Sequence, residues 1–464
     1  MRRNIASSVL VPTLLLAALV VGGASLEGQA AKALLFAASG AVAMTMFAFT
    51  DIRWLTGSVR TCLVFLAALT LLVMVQALPA PTWWSLSQPD RDIARSGLSL
   101  LSDRVISPAI SLFPEATIAA GLAFLAPLAA FVLIAGLSWR RGAALMAWTI
   151  ALLGAASALL GLAQVFTGDQ SPLYLYDFTS RGLPAGFFSN VNHQASFLLM
   201  CLPFTAALAG RLRRDWEGQD TDTALAILVA ACFLLIVVGI LGAGSVAGYI
   251  LLLPVTLLSL FLLRGGRRSG SGGVLGYVMI PAIILFAGAI IFSSPVLEGL
   301  GITSFDDSDL SRVGITRTSL EILPEHWRLG TGLGTFEQVY HLYEDPSSVN
   351  RTYVAHAHND YIEWAIETGV PGMTLLALFL AWWAAQMVRV WTGRIEGSSG
   401  LRRAASIATL VIVLHSLVDY PLRTPAIATL GAVCLALMVV PRERPRKKPE
   451  PAQDAEPSTR TVTL

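Results

Sequence analysis

Charge is what this sequence has least of. Of 464 residues, 13% are Asp, Glu, Lys or Arg, against about 25% in an average soluble domain. Lysine is nearly missing: Lys32, Lys447 and Lys448 are the three among 32 basic residues, so Arg in place of Lys at any one position carries no information. Cysteine is scarce as well. Cys62, Cys201, Cys232 and Cys434 all fall in apolar stretches without CxxC spacing, which argues against redox or thiolate-metal chemistry and for small core residues. No P-loop and no Rossmann glycine pattern occurs, so a site for ATP or a nucleotide sugar is not expected.

What is present is apolar residues in blocks. Mean hydropathy is +0.66, and the blocks run roughly 20 residues, the length that crosses a hydrocarbon core as a helix. They predict an all-α polytopic membrane protein with about twelve spans, near 8–25, 31–50, 60–79, 117–138, 142–167, 193–210, 223–242, 246–263, 274–294, 370–391, 402–418 and 423–441. Long uncharged runs rule against a β-barrel. The first block follows Arg2 and Arg3 like a secretory signal, but eleven more spans favour an uncleaved helix. With the N-terminus inside, the clusters Arg53/Arg60, Arg140/Arg141, Arg211/Arg213/Arg214, Arg264/Arg267/Arg268, Arg389/Arg394/Arg402/Arg403 and the tail all fall inside. Of the 32 Lys and Arg, 22 then lie inside and 10 outside, as the positive-inside rule expects. The net charge of +2 is therefore a membrane pattern and implies no nucleic-acid partner.

Residues 1–441 read as one transmembrane domain and 442–464 as a Pro- and charge-rich disordered cytoplasmic tail. The outer face receives residues 80–116, partly amphipathic and with Trp83 and Trp84 suited to the interface. It also receives 168–192, a large loop at 295–369 and the turn 419–425. The suspicious polar residues all gather on this face. Transporters place ionisable groups in mid-membrane, often within repeated halves, and neither feature is found. The pattern points to chemistry at the outer surface, with a transporter or a non-catalytic envelope assembly protein as lesser readings.

The richest segment is "YVAHAHNDYIEWAIETGVPG", 353–372. His356, His358 and Asp360 have the spacing of a metallohydrolase opening, but a metal needs at least three protein ligands and no further paired histidines follow, so no metal is expected. Asn359 or Asp360 suits a helix N-cap, with Glu363 completing a capping box after Asp360. Gly369 suits the end of that short helix and Pro371 the start of the next. His358 then sits at a helix N-terminus, where the dipole disfavours imidazolium and leaves a ring able to accept a proton, or else it merely caps. Upstream, "SRVGITRTSLEILPEHWRLGTGLGTF" offers Arg312 and Arg317, which can grip a phosphate bidentately, and Gly330, Gly332 and Gly334, whose backbone amides could approach an anion. Asn192 reads as the N-cap of the span at 193. His415 and Asp419 are four apart, as are Asp419 and Arg423, so an Asp419–Arg423 pair pinning the last turn competes with a substrate role.

These residues together resemble the O-antigen ligase / O-antigen polymerase family of bacterial envelope proteins. That family shows His followed by Asn, Ser or Gln, nine residues, then GxxG; here His358-Asn359, Asp360–Thr368 and Gly369-Val-Pro-Gly372 fit without a gap. "GFFSNVNHQASFLLMCLPF" and "HSLVDYPLRTPA" are similar to further family segments, and the likeness covers roughly 180–430. The resemblance implies a GT-C-like membrane fold in the bacterial inner membrane with its active face periplasmic. It implies a metal- and cofactor-independent glycosyltransferase that takes a glycan from undecaprenyl pyrophosphate to a sugar hydroxyl. The acceptor is lipid A–core for a ligase and a growing glycan chain for a polymerase; the sequence leaves both open, and the oligomeric state with them. His358 would activate the hydroxyl or hold the pyrophosphate, and Arg312 would neutralise the leaving pyrophosphate. One departure stands out: Val246 follows Ser245 where many members have Arg. Arg181, Arg317 or Arg423 would then supply the missing charge, with Asn359, His356, Asn192, Asp419, Gly369 and Gly372 in support.

Overall fold

The structure, a computed structural model, describes residues 2–49, 57–79, 109–136, 139–216, 223–263, 312–345, 354–392 and 399–440. The expected span at 274–294, the stretch 80–108, the start of the large outer loop to 311 and the tail 442–464 lie outside them. Among the described residues every regular element is helical, and the one β pairing is an isolated bridge between Pro79 and Ala109.

The α-helices in chain order are α1 (Arg2–Gly22), α2 (Gln29–Phe49), α3 (Gly57–Ala77), α4 (Pro114–Ala123), α5 (Leu125–Gly136), α6 (Trp139–Thr167) and α7 (Val191–Trp216). They continue with α8 (Thr223–Gly242), α9 (Val246–Leu263), α10 (Arg312–His326), α11 (Phe336–Tyr343), α12 (Asp360–Thr392), α13 (Ser399–His415) and α14 (Pro425–Val439). Eight stretches among the described residues are long and apolar enough to cross a bilayer, α4 and α5 together forming one of them. Within α1 the stretch Val9–Gly22, and likewise α14, are shorter apolar helices. α13 has 17 residues and carries Arg402 and Arg403 at its start. The chain is a helical membrane protein.

Helix boundaries have local causes. α8 ends and α9 begins across Gly244, whose φ of 68° is open to glycine, and Ser245, whose hydroxyl accepts the Gly248 amide at 3.1 Å. The expected span 117–138 is interrupted at Phe124, but φ −70° and ψ −12° there keep the chain close to helical. α12 is broken at Gly369 (φ 57°, ψ −155°), so the short helix and the spanning helix inferred on either side of that glycine are distinct.

α7 is the centre of the bundle. It packs against α6, α8, α9 and α13, and Ala195, Phe197, Leu198, Leu199, Met200, Cys201 and Leu202 are all buried. α14 closes the other side against α5, α13 and α1. All four cysteines are buried thiols. In lipid such contacts hold by close packing more than by exclusion of water, so small residues at helix crossings matter. A second, smaller core lies in the outer part of the chain, where Ile315 and Ile322 of α10, Phe336, Val339 and Tyr340 of α11, Val354, Ala357 and Ile366 pack together. That core fixes the segment bearing His358 to the first turns of α12.

Candidate active site

Asn359 is the N-cap of α12. Its side-chain oxygen accepts the amides of Tyr361 at 3.0 Å and Ile362 at 3.1 Å, while its own amide donates to the Leu417 carbonyl at 2.8 Å. The Glu363 carboxylate reaches back past the cap to the Ala357 amide at 3.0 Å and to His356 Nδ1 at 2.9 Å. The capping box is therefore real in effect, but the cap is Asn359 and the target lies two residues before it. Held between these anchors, His358 takes φ 51°, the one non-glycine left-handed residue among those described. The conformation costs about 1–2 kcal/mol, and strain of this kind collects at functional sites.

The imidazole of His358 is 26% exposed, with Nδ1 3.5 Å from Asp419 Oδ1. Asp419 is buried. Burial pushes its carboxyl up, but the contact with His358 and the charges of His193, His358 and His415 hold it well below the usual carboxylate range. Its neighbour Tyr420 is a hub, with ring centroids 4.2 Å from His356, 5.0 Å from His358 and 4.9 Å from His193. Burial, with the Asp419 charge beside it, pushes the Tyr420 phenol up, so the hydroxyl stays neutral. Behind it, His415 Nδ1 meets Ser196 Oγ at 2.6 Å. His193 has no hydrogen-bond partner at either ring nitrogen. The start of α7 and the end of α13 thus converge on the His358–Asp419 pair.

The expected residues divide. Arg312, first in α10, lays its guanidinium on the Val418 carbonyl at 3.4 Å, beside the turn that carries Asp419. Arg317 points elsewhere: it is 82% exposed and paired with Glu321 at 3.6 Å. Arg181 braces its own loop, donating to the Asp169 carbonyl at 3.1 Å and lying 5.5 Å from the Tyr174 ring centroid. The N-cap of α7 is Asn190, whose side chain accepts the Asn192 amide at 2.8 Å; Asn192 is displaced from that role because the helix starts at Val191, two residues earlier than expected. His356 turns to Glu363 and His358 to Asp419. Among the described residues no group of three His, Cys, Asp or Glu could hold a metal.

Two expectations are corrected. Asp419 and Arg423 do not pair, because the chain leaves the helix at His415 and a 3-10 turn over Pro421–Arg423 rotates the arginine away. Arg423 instead meets Glu367 at 2.8 Å, Glu363 at 3.2 Å and Asp360 at 3.6 Å, three carboxylates on one face of α12. Its charge is committed within the protein. The glycine turn keeps its amides for the protein's own groups: Gly330 donates to the His326 carbonyl, Gly332 to that of Glu367, and Gly334 to the Glu367 carboxylate. A Cβ on Gly330 would stand 2.2 Å from the Glu367 carbonyl oxygen. Gly330 and Gly369 let two backbones touch.

Sequence reasoning missed Tyr420, the Arg423 carboxylate cluster and Gln76. Gln76 at the end of α3 donates to the carbonyls of Leu329 at 3.0 Å and Glu367 at 2.9 Å and accepts the Leu333 amide at 3.1 Å. A buried glutamine in an otherwise apolar span was the available signal.

No curated protein matches the chain. A family model described as O-antigen ligase matches residues 230–377, from within α8 to the first turns of the spanning part of α12, and so takes in Arg312, His358, Gly369 and Gly372. Over that region the chain is similar to the O-antigen ligase family, which supports a function of the general O-antigen ligase or polymerase type.

Proposed function

We propose that this protein is a ligase-type glycosyltransferase of the bacterial inner membrane. It moves a glycan from undecaprenyl pyrophosphate to a sugar hydroxyl of lipid A–core on the periplasmic face, without metal or cofactor. The observation that carries the reading is the strained His358 beside buried Asp419, with Arg312 across the same turn. With Nδ1 turned to Asp419, Nε2 is left to take the proton of the acceptor hydroxyl. The hydroxyl oxygen forms a bond to the anomeric carbon as the bond to pyrophosphate breaks. Asp419 fixes the tautomer and steadies the imidazolium that forms, as a carboxylate does behind a catalytic histidine. Charge grows on the leaving pyrophosphate, and Arg312, beside that turn and without a carboxylate partner among the described residues of the kind that holds Arg423, is the cation to receive it.

The test uses purified protein with lipid-linked donor and lipid A–core acceptor. His358→Ala should abolish transfer while the protein stays folded in the membrane, and His356→Ala should hurt less. Arg312→Ala should weaken use of the donor and Arg312→Lys restore it in part, because a point charge does not reproduce a bidentate grip. Full transfer by the His358→Ala protein would sink the assignment. In cells, deletion that leaves core capped by a single repeat unit would mark a polymerase; loss of all capping marks a ligase.

A further inference from the structure

A cleft of about 570 Å³ opens between α2, α4, α11, α12, α13 and α14. His356 lies on its wall, while His358, Asp419 and Arg312 do not. In the topology set by the basic residues, its deep half runs inward along α12, α14 and α2 and is apolar: Phe36, Leu376, Phe379, Leu380, Trp383 and Leu435. The outer half is different. Lys32 is 2% exposed, and its amine has one hydrogen-bond acceptor, the Ser25 carbonyl at 2.8 Å, for three donor protons. His356 Nε2 and Trp364 Nε1, on the same wall, have no hydrogen-bond partner.

We propose that this cleft holds the acceptor as a phosphate-bearing glycolipid, with its hydrocarbon tail in the deep half, its phosphate at Lys32 and its sugar at His356 and Trp364. The proposal rests on the glycan-transfer reading and adds a second lipid site to it. Each zone of the cleft matches one zone of such a molecule. This buried ammonium has one hydrogen-bond acceptor, a neutral carbonyl, with the Glu27 charge nearby; a phosphate would take its remaining donors and offset the cost of burial. An indole presents an apolar face to the C–H face of a sugar and an N–H to its hydroxyls. A phospholipid would satisfy Lys32 and the tail zone but leave Trp364 and His356 unpaired. A purely anionic headgroup would also meet the Asp360, Glu363 and Glu367 carboxylates, which outnumber the single Arg423 among them. The ring of Tyr420 stands between cleft and base, 4.2 Å from His356 and 5.0 Å from His358. A sugar at His356 therefore lies across the Tyr420 ring from His358, and the glycan beyond it carries the reacting hydroxyl to that imidazole.

Steady-state transfer by the full-length protein in nanodiscs, with lipid-linked donor and lipid A–core acceptor varied separately, tests the placement. Trp364→Ala and Lys32→Met should each raise the acceptor KM about tenfold, or about 1.4 kcal/mol, with kcat and the donor KM within about twofold. A rise in the donor KM instead, or no change in either, overturns the proposal. A second measurement needs no turnover: benzoylphenylalanine placed at Leu380 in His358→Ala protein, irradiated in cells of the native host. Capture of lipid A–core supports the cleft as the acceptor site, and capture of undecaprenyl-linked glycan or of phospholipid alone overturns it. Active His358→Ala protein would remove the transfer mechanism while leaving this cross-link to be read on its own.

Discussion

At the scale of single residues, the unusual feature is how much is spent on aiming one imidazole. His358 is left-handed, its successor caps a helix and donates to the facing turn, and its Nδ1 looks at a carboxylate kept charged although buried. Asp419 Oδ1 accepts the Tyr420 amide at 2.9 Å and lies 3.5 Å from His358 Nδ1, so one oxygen serves both the turn and the imidazole. Asp419→Asn keeps the shape and removes the charge. It should lower kcat by about 100-fold or more, within the range general-base catalysis supplies, with the acceptor KM little changed; the check is steady-state kinetics at fixed donor. The His358-Asn359 pair and its distance to the GxxG were legible because they are local. The partner of Asp419 was misread because i,i+4 spacing has meaning only inside a helix, and the chain had already left one. Val246, at the position where the resemblance implies Arg, opens α9 half-buried.

At the scale of elements, α12 is two helices joined by a glycine. Gly369 was legible as a helix end, and Pro371 as the next start, because each is a backbone requirement written in one residue. What they meet was not legible: Val370 donates to the Trp327 carbonyl at 2.8 Å and Thr331 to that of Ile366 at 3.0 Å, pairings that no spacing rule connects. A Cβ at Gly369 would stand 2.6 Å from the Gly330 amide nitrogen and 2.7 Å from the Trp327 carbonyl oxygen, at a φ of 57°. Gly369→Ala therefore combines a disfavoured backbone with a backbone clash and should destabilise the protein by about 3 kcal/mol. A lowered thermal midpoint in detergent, with loss of transfer in proportion to unfolding, is the expected reading. Gly372→Ala should be similar in kind, since its Cβ would press on the Thr368 side chain.

At the scale of the whole molecule, hydropathy and the distribution of Arg supplied the helical class and the boundaries of α8 and α9, since lipid as solvent leaves the backbone few choices. They did not supply which helix is central, because every span reads as apolar. The arrangement puts His358, Arg312, Asp419 and the mouth of the cleft on one side. A reporter enzyme fused after Asp345 should accordingly be active only outside the cytoplasm, and one fused in the 217–222 connection only inside; the reverse pair of activities would overturn the orientation.

The contacts from Trp327, Gly330, Thr331 and Gly332 to α12 also bear on how this chain could be inherited. They tie the segment before Asp345 to the helix after Val354 by backbone hydrogen bonds and by the small outer core, independently of the covalent link between them. A gene cut within 346–353 would thus encode two membrane pieces that still recognise each other, one bringing Arg312 and the other His358. Separately expressed halves split at this point should co-purify as one complex, and failure to do so would show that the covalent link is needed.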